Sequence, residues 1–174
     1  MRVYVPATLE FLKVLAAEGE FSPVSRTAFA VTPTLREAYS SGDDEELSEV
    51  AMGEAARASL RLIAAAVDDE ADTGTVADGV VYRRAVIAAD VDDPTLRPDL
   101  DDAVVRLKEP LRMDQVASVH VDLEGAEEAV AKAVSAVDAA DMGDADAEFV
   151  LGDAEDHTLA WYAPQELPFL LDLL

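Results

Sequence analysis

Apolar and polar positions alternate along the chain in runs short enough to be separate strands and helices. Residues 2–7 (RVYVPA) are rich in β-branched and aromatic side chains and carry Pro6 near their end, which fits a strand that stops there. Thr8 then offers an N-cap, Leu9, Leu12, Leu15 and Ala16 recur on one helical face, and Gly19 supplies the stop. Residues 27–31 (TAFAV) read as a second strand. Thr32 caps and Pro33 opens a short helix through Tyr39, which Ser40, Ser41 and Gly42 break.

A longer helix begins at Asp43. Glu46, three residues on, completes a capping box, and the acidic turn Asp44, Glu45 and Glu46 suits the positive end of a helix dipole. Leu47, Val50, Ala51, Ala55, Ala58, Leu62 and Ala65 keep helical spacing for about six turns. That stripe is mostly Ala, so the helix can approach a neighbour closely, while Arg57 and Arg61 project from its flank toward acidic surface. Residues 68–79 (DDEADTGTVADG) lose the periodicity and predict a mobile loop.

Strands follow at 80–91, 103–107 and 117–122, with a surface loop over 92–102 (DDPTLRPDLDD). Residues 125–137 form an amphipathic helix through Val130, Val134 and Val137. Residues 158–162 make a last strand, and Pro164 opens a closing helical segment that Pro168 interrupts or restarts. The expected fold is therefore α+β: one domain over residues 1–174, a mixed sheet of about five to six strands packed with helices. The segments AFAVTPTLREAY and LAWYAPQELPFL both run from an apolar strand through x-Pro into a helix, an echo that points to a ferredoxin-like duplication.

Composition narrows the partners. A hydrophobic fraction of 51% in 174 residues fills one core. No apolar run approaches the roughly 20 residues that cross a bilayer, and the first residues lack the basic and apolar regions of a signal peptide. The expectation is a cytoplasmic protein that makes no use of a membrane. The absence of Cys removes disulfides, thiolate metal sites and Cys nucleophiles. A formal net charge of -24 repels phosphate backbones, so nucleic acid is not an expected partner; the acidity either recruits a basic protein partner or serves solubility alone.

Candidate chemistry concentrates near the C-terminus, where no Lys or Arg follows Lys132. His157 stands beside Asp153, Glu155 and Asp156, a setting for a metal ligand or general base; the plain structural alternative is an exposed His at a strand start. His120, in the alternating run ASVHVD, shares the polar parity of Ser118 and Asp122 and reads as a structural surface residue. Asp144, Asp146, Glu148 and Glu155 match positions 1, 3, 5 and 12 of a calcium-binding EF-hand loop, but Phe149 stands at position 6, where the sharp turn needs Gly. Trp161, Tyr162, Gln165 and Glu166 place aromatic surface beside hydrogen-bonding groups. Alternation with Leu159 turns Trp161 inward and leaves Tyr162 the more accessible of the pair. The terminal run PFLLDLL docks on its own core or, in the alternative, on a second subunit as a homodimer. Phosphate-binding loops, the GxSxG elbow and HExxH are all absent.

Several stretches together (RVYVPATL, FAVTPTLREAYSSGDDEELSEVA, RRAVIAADV, ASVHVDL and DAEFVLGDAEDHTLAWYAPQELPFLLDLL) resemble a family of uncharacterised actinobacterial proteins along nearly the whole chain. That resemblance implies a cytoplasmic protein of unknown function and brings no activity, cofactor or catalytic residue with it. Two functional expectations stand. One is a non-enzymatic binding or regulatory protein that presents an acidic surface, or the region from Trp161 to Glu166, to a basic partner and has no cofactor. The other is a metal-dependent enzyme, a hydrolase for instance, using His157 with Asp153 and Asp156 and a divalent ion.

Overall fold

The structure, a computed structural model, describes residues 1–73 and 79–174. Nine strands are described: β1 (Arg2–Ala7), β2 (Glu20–Phe21), β3 (Thr27–Phe29), β4 (Ala85–Asp90), β5 (Thr95–Leu96), β6 (Val104–Arg106), β7 (Leu111–Arg112), β8 (Val116–Val121) and β9 (Ala160–Tyr162). The α-helices are α1 (Leu9–Glu18), α2 (Pro33–Ala38), α3 (Asp44–Thr73), α4 (Glu127–Asp141), α5 (Ala145–Glu155) and α6 (Leu167–Asp172). Seven strands form one sheet in the order β5-β6-β3-β1-β4-β8-β9, while β2 and β7 pair separately.

The fold is α+β, as the patterning predicts. All six predicted strands are present, and the seventh in the main sheet, β5, is a two-residue edge inside the segment expected to be loop. Each neighbouring pair is antiparallel. The parallel strands β3 and β4, joined through α2 and α3, never touch because β1 lies between them. That split crossover is the unit a ferredoxin-like fold uses twice; here it occurs once, because the second segment runs from β8 through α4 and α5 to the adjacent strand β9.

The local signals for α1, α2 and α3 operate as read. The Thr8 hydroxyl accepts from the Phe11 amide, and Gly19 closes α1 at φ 78°, a left-handed conformation that suits Gly. Thr32 accepts from the Leu35 amide, and Asp43 and Glu46 each accept from the other's backbone N–H. Two boundaries move. Residues 68–73, expected in a mobile loop, continue α3, since no Gly or Pro interrupts the chain before Gly74; residues 74–78 of that loop lie outside the described residues. Residues 80–84, expected in a strand, precede it: the β1 ladder ends at the pair Ala7 and Ala85, so no strand is there to receive them.

Residues 138–156, to which the patterning assigns no element, contain all of α5. Gly143 (φ 92°) ends the turn after α4, and the Asp144 carboxylate caps α5 by accepting from the Ala147 amide at 3.0 Å. Small buried residues, Ala147, Leu151 and Ala154, make its packing stripe, and a carboxylate-rich outer face masks that periodicity.

One face of the sheet (Val3, Val5, Ile87, Val105, Val119 and Val121) packs beneath α1 and α6. The other (Tyr4, Phe29, Val86, Ala88 and Val104) receives Leu47, Ala51, Ala55 and Ala56 of α3. Further along, Leu60 and Ile63 of the same helix enter a separate cluster with Val130, Val134 and Val137 of α4 and Leu151 of α5. Thus α3 joins the sheet to the α4–α5 hairpin. The space between these two attachments positions the candidate site.

Candidate functional site in the cleft beside the long helix

Glu49, Met52, Gly53, Ala56, Arg57 and Leu60 lie on one stripe of α3, beside the stripe that packs on the sheet. With Glu54, Arg84, His120 of β8 and Glu155, His157, Thr158 and Leu159 they line an open cleft of about 700 Å³. Both histidines of the chain contribute to it. No charged group shifts the titration of His120; burial alone lowers it below the ordinary 6.5, so its ring is neutral at neutral pH. Its Nε2 lies 2.9 Å from the Ser118 hydroxyl.

The floor is held by Arg84, which is 2% exposed. Its Nε and Nη2 donate to the two carboxylate oxygens of Asp122, each at 2.8 Å, and Asp122 also accepts from the Arg84 backbone amide. Nη2 donates a further bond to the His157 carbonyl at 2.8 Å, fixing the connection from α5 to β9. Paired so closely, the buried charges offset each other, and the pair carries no net charge into the cleft.

Arg57 is occupied as well. It donates to Asp141 of α4 and Glu148 of α5, and Arg61 joins it on Asp141, as expected of two arginines directed at acidic surface. These bonds raise the pKa of Arg57 and hold the Asp141 and Glu148 carboxyls below the usual range. The carboxylates of the cleft are in the opposite condition. Among the described residues, Glu49, Glu54 and Glu155 have no cation within ion-pair distance. Burial, with Asp101 and Glu155 adding to it, pushes half-buried Glu54 above the ordinary 4.5, although Arg61 and Arg57 pull the other way.

A family model matches residues 1–171. The chain belongs to DUF6912, a family of unknown function. No curated protein and no solved structure matches it significantly.

His157 reaches the cleft and also borders a smaller pocket of about 160 Å³ with Asp153, Glu128 and Lys132. Asp156 is exposed and lines neither. The calcium-like spacing falls on a helix: Asp144 is its cap, while Asp146, Glu148 and Glu155 are strung along it, Glu148 toward Arg57 and Glu155 toward the cleft. Helical rise separates ligands that a loop would gather. Among the described residues, no group of three or more His, Asp or Glu side chains is placed to hold a metal ion.

The aromatic pair is reversed. Trp161 is 60% exposed and Tyr162 packs against the core, because β9 aligns Tyr162 with Val119 on the apolar face and Trp161 with His120 on the other. Gln165 is exposed, and Glu166 accepts from the Ala163 amide to cap the turn before α6. The terminal segment docks on its own core through Leu167 and Leu170, leaving Phe169 and Leu173 exposed.

His120 shares a face with Ser118 and Asp122 as read, but that face is not solvent. Ser118 is 7% and Asp122 1% exposed, since α3 and Arg84 cover them. An Arg pair opening one apolar run and an Asp closing another (RRAVIAAD and ASVHVD) are the available signal for this pair. Pairing them required the β4–β8 register. Glu54 gave no signal, being one more acid on an acidic helix.

Proposed function

We propose that this DUF6912 protein is a non-enzymatic, cytoplasmic binding protein that receives a basic protein partner on the acidic surface around the cleft. The observation that carries this reading is the sorting of charge there: Arg57 and Arg84 are already neutralised by carboxylates, whereas Glu49, Glu54 and Glu155 have no ion-pair partner among the described residues. Glu54 adds weight, because a half-buried carboxyl with a raised pKa is stabilised by an arriving cation. The chain's net charge of -24 attracts such a partner before contact.

Affinity capture from lysate, with mass-spectrometric identification, tests the proposal. Expected is a basic protein whose retention falls between about 50 mM and 500 mM salt as screening shortens the reach of exposed charge. The variant Glu54→Lys with Glu155→Lys should lose most of that retention. Equal retention by this variant, or nothing above background at low salt, contradicts the proposal.

A further inference from the structure

Arg84 carries one hydrogen-bonding end that the fold does not use. Nε and Nη2 are committed to Asp122 and to the His157 carbonyl, but Nη1 has no partner among the described residues and is not sealed from solvent. Arg84 is 2% exposed and lines the cleft, which makes the cleft the place for this donor to meet a ligand. The guanidinium is held by three side-chain bonds, so presenting Nη1 to an acceptor costs little ordering. Asp122 balances its charge, and the donor therefore suits a neutral carbonyl oxygen and does not drive off a cation nearby.

Glu54 projects into the cleft from α3, and Glu155 from the end of α5. Burial and, to a smaller extent, the charge of Glu155 raise the cost of ionising Glu54, a cost that a cation placed beside it relieves. Met52, Ala56, Leu60 and Leu159 supply apolar wall, which suits the methylene stem of a long basic side chain. At about 700 Å³ the cleft has room for one such residue, and being open it lets a chain continue out of it. Trp161, facing the same side from the edge strand, offers flat apolar surface to the residues that flank it.

From this geometry we infer that the cleft recognises a single Arg or Lys residue within an extended segment of the partner. Its main-chain carbonyl accepts from Arg84 Nη1, and its side-chain cation lies between Glu54 and Glu155. The inference rests on the proposed binding of a basic protein and specifies the contact.

Five probes separate its parts: N-acetyl-arginine N-methylamide, N-acetyl-lysine N-methylamide, N-acetyl-norleucine N-methylamide, n-butylguanidine and spermidine. Each is titrated into the full chain while Trp161 fluorescence and amide chemical shifts are followed. The capped Arg and Lys should bind saturably, shifting amides from Glu49 to Leu60 and from Glu155 to Trp161. n-Butylguanidine, a monocation that keeps the guanidinium and lacks the carbonyl, should bind about fivefold to tenfold more weakly. Capped norleucine should not bind. Glu54→Gln, a change that preserves shape, should weaken the capped Arg at least about tenfold with the fold intact by amide spectrum.

Equal affinity for n-butylguanidine and capped Arg overturns the carbonyl contact, and unchanged affinity in Glu54→Gln overturns the cation contact. Tighter binding of spermidine than of either capped residue replaces the peptide with a polyamine. If no probe moves cleft amides but oligolysine still binds in a salt-dependent way, this inference fails and the acidic-surface reading stands. If oligolysine fails too, both fall.

Discussion

Ser59 illustrates how much one buried polar side chain can carry. It is 0% exposed on α3, and its hydroxyl donates to the Ala7 carbonyl at 2.7 Å and accepts from the Ala85 amide at 3.1 Å. It thereby completes the end of the β1–β4 ladder at the point where β1 turns into α1. Ser59→Ala leaves two backbone groups without that partner, a loss of about 1–3 kcal/mol in chemical denaturation. A change within about 0.5 kcal/mol would mean the ladder end does not depend on it. Glu54 gives the opposite sign. Its folded pKa is raised, so the folded chain holds this proton more tightly than the unfolded one; the stability it contributes is present in acid and is lost as pH rises through the folded pKa. Glu54→Gln removes that loss. The variant should melt above the unaltered chain at pH 7, with the gap closing as pH falls through the raised folded pKa and gone below the ordinary 4.5. A residue that lowers stability while lining a cleft fits a site kept for binding.

At the scale of elements, the cleft depends on how α3 is shared. Its first half is attached to the sheet by apolar contact, and its later turns meet α4 and α5 through a second cluster and the Arg57 and Arg61 bridges to Asp141 and Glu148. Those bridges are partly exposed, so Arg57→Ala should cost only up to about 1 kcal/mol globally. Its local effect should be larger: amide exchange in α5 should speed up while β1 and β4 stay protected, and uniform acceleration would show that the hairpin is not independently held. What the chain's pattern made legible follows the same division. Caps and stops at Thr8, Gly19, Thr32 and Asp43 act within a few residues, and each was readable. The helix α5 was hidden because its buried stripe is Ala147, Leu151 and Ala154 among acids, a weak apolar signal. Trp161 was turned the wrong way since alternation sets which residues share a face, whereas the β8 register decides which face is buried. Arg84 with Asp122, and Glu54 with Glu155, are long-range pairings that only the assembled sheet and helices bring together.

Across the whole molecule, 37 Asp and Glu against 13 Lys and Arg make acidity too general a property to mark a site. No helix among the described residues is long and apolar enough to cross a membrane. The arrangement of the cations is what distinguishes the cleft: Arg57 and Arg84 are already paired, which in the proposed reading leaves its carboxylates to a partner. The most direct measurement compares two double variants with the same change in charge, each titrated with an oligolysine peptide and read by the fluorescence of Trp161. One is Glu54→Gln with Glu155→Gln, inside the cleft; the other is Glu18→Gln with Glu20→Gln, exposed near β2. The account predicts that the cleft variant loses at least about tenfold in affinity, while the outer variant stays within about twofold of the unaltered chain. Equal losses in the two would mean that the peptide feels only overall charge, and would contradict the cleft as the receiving site.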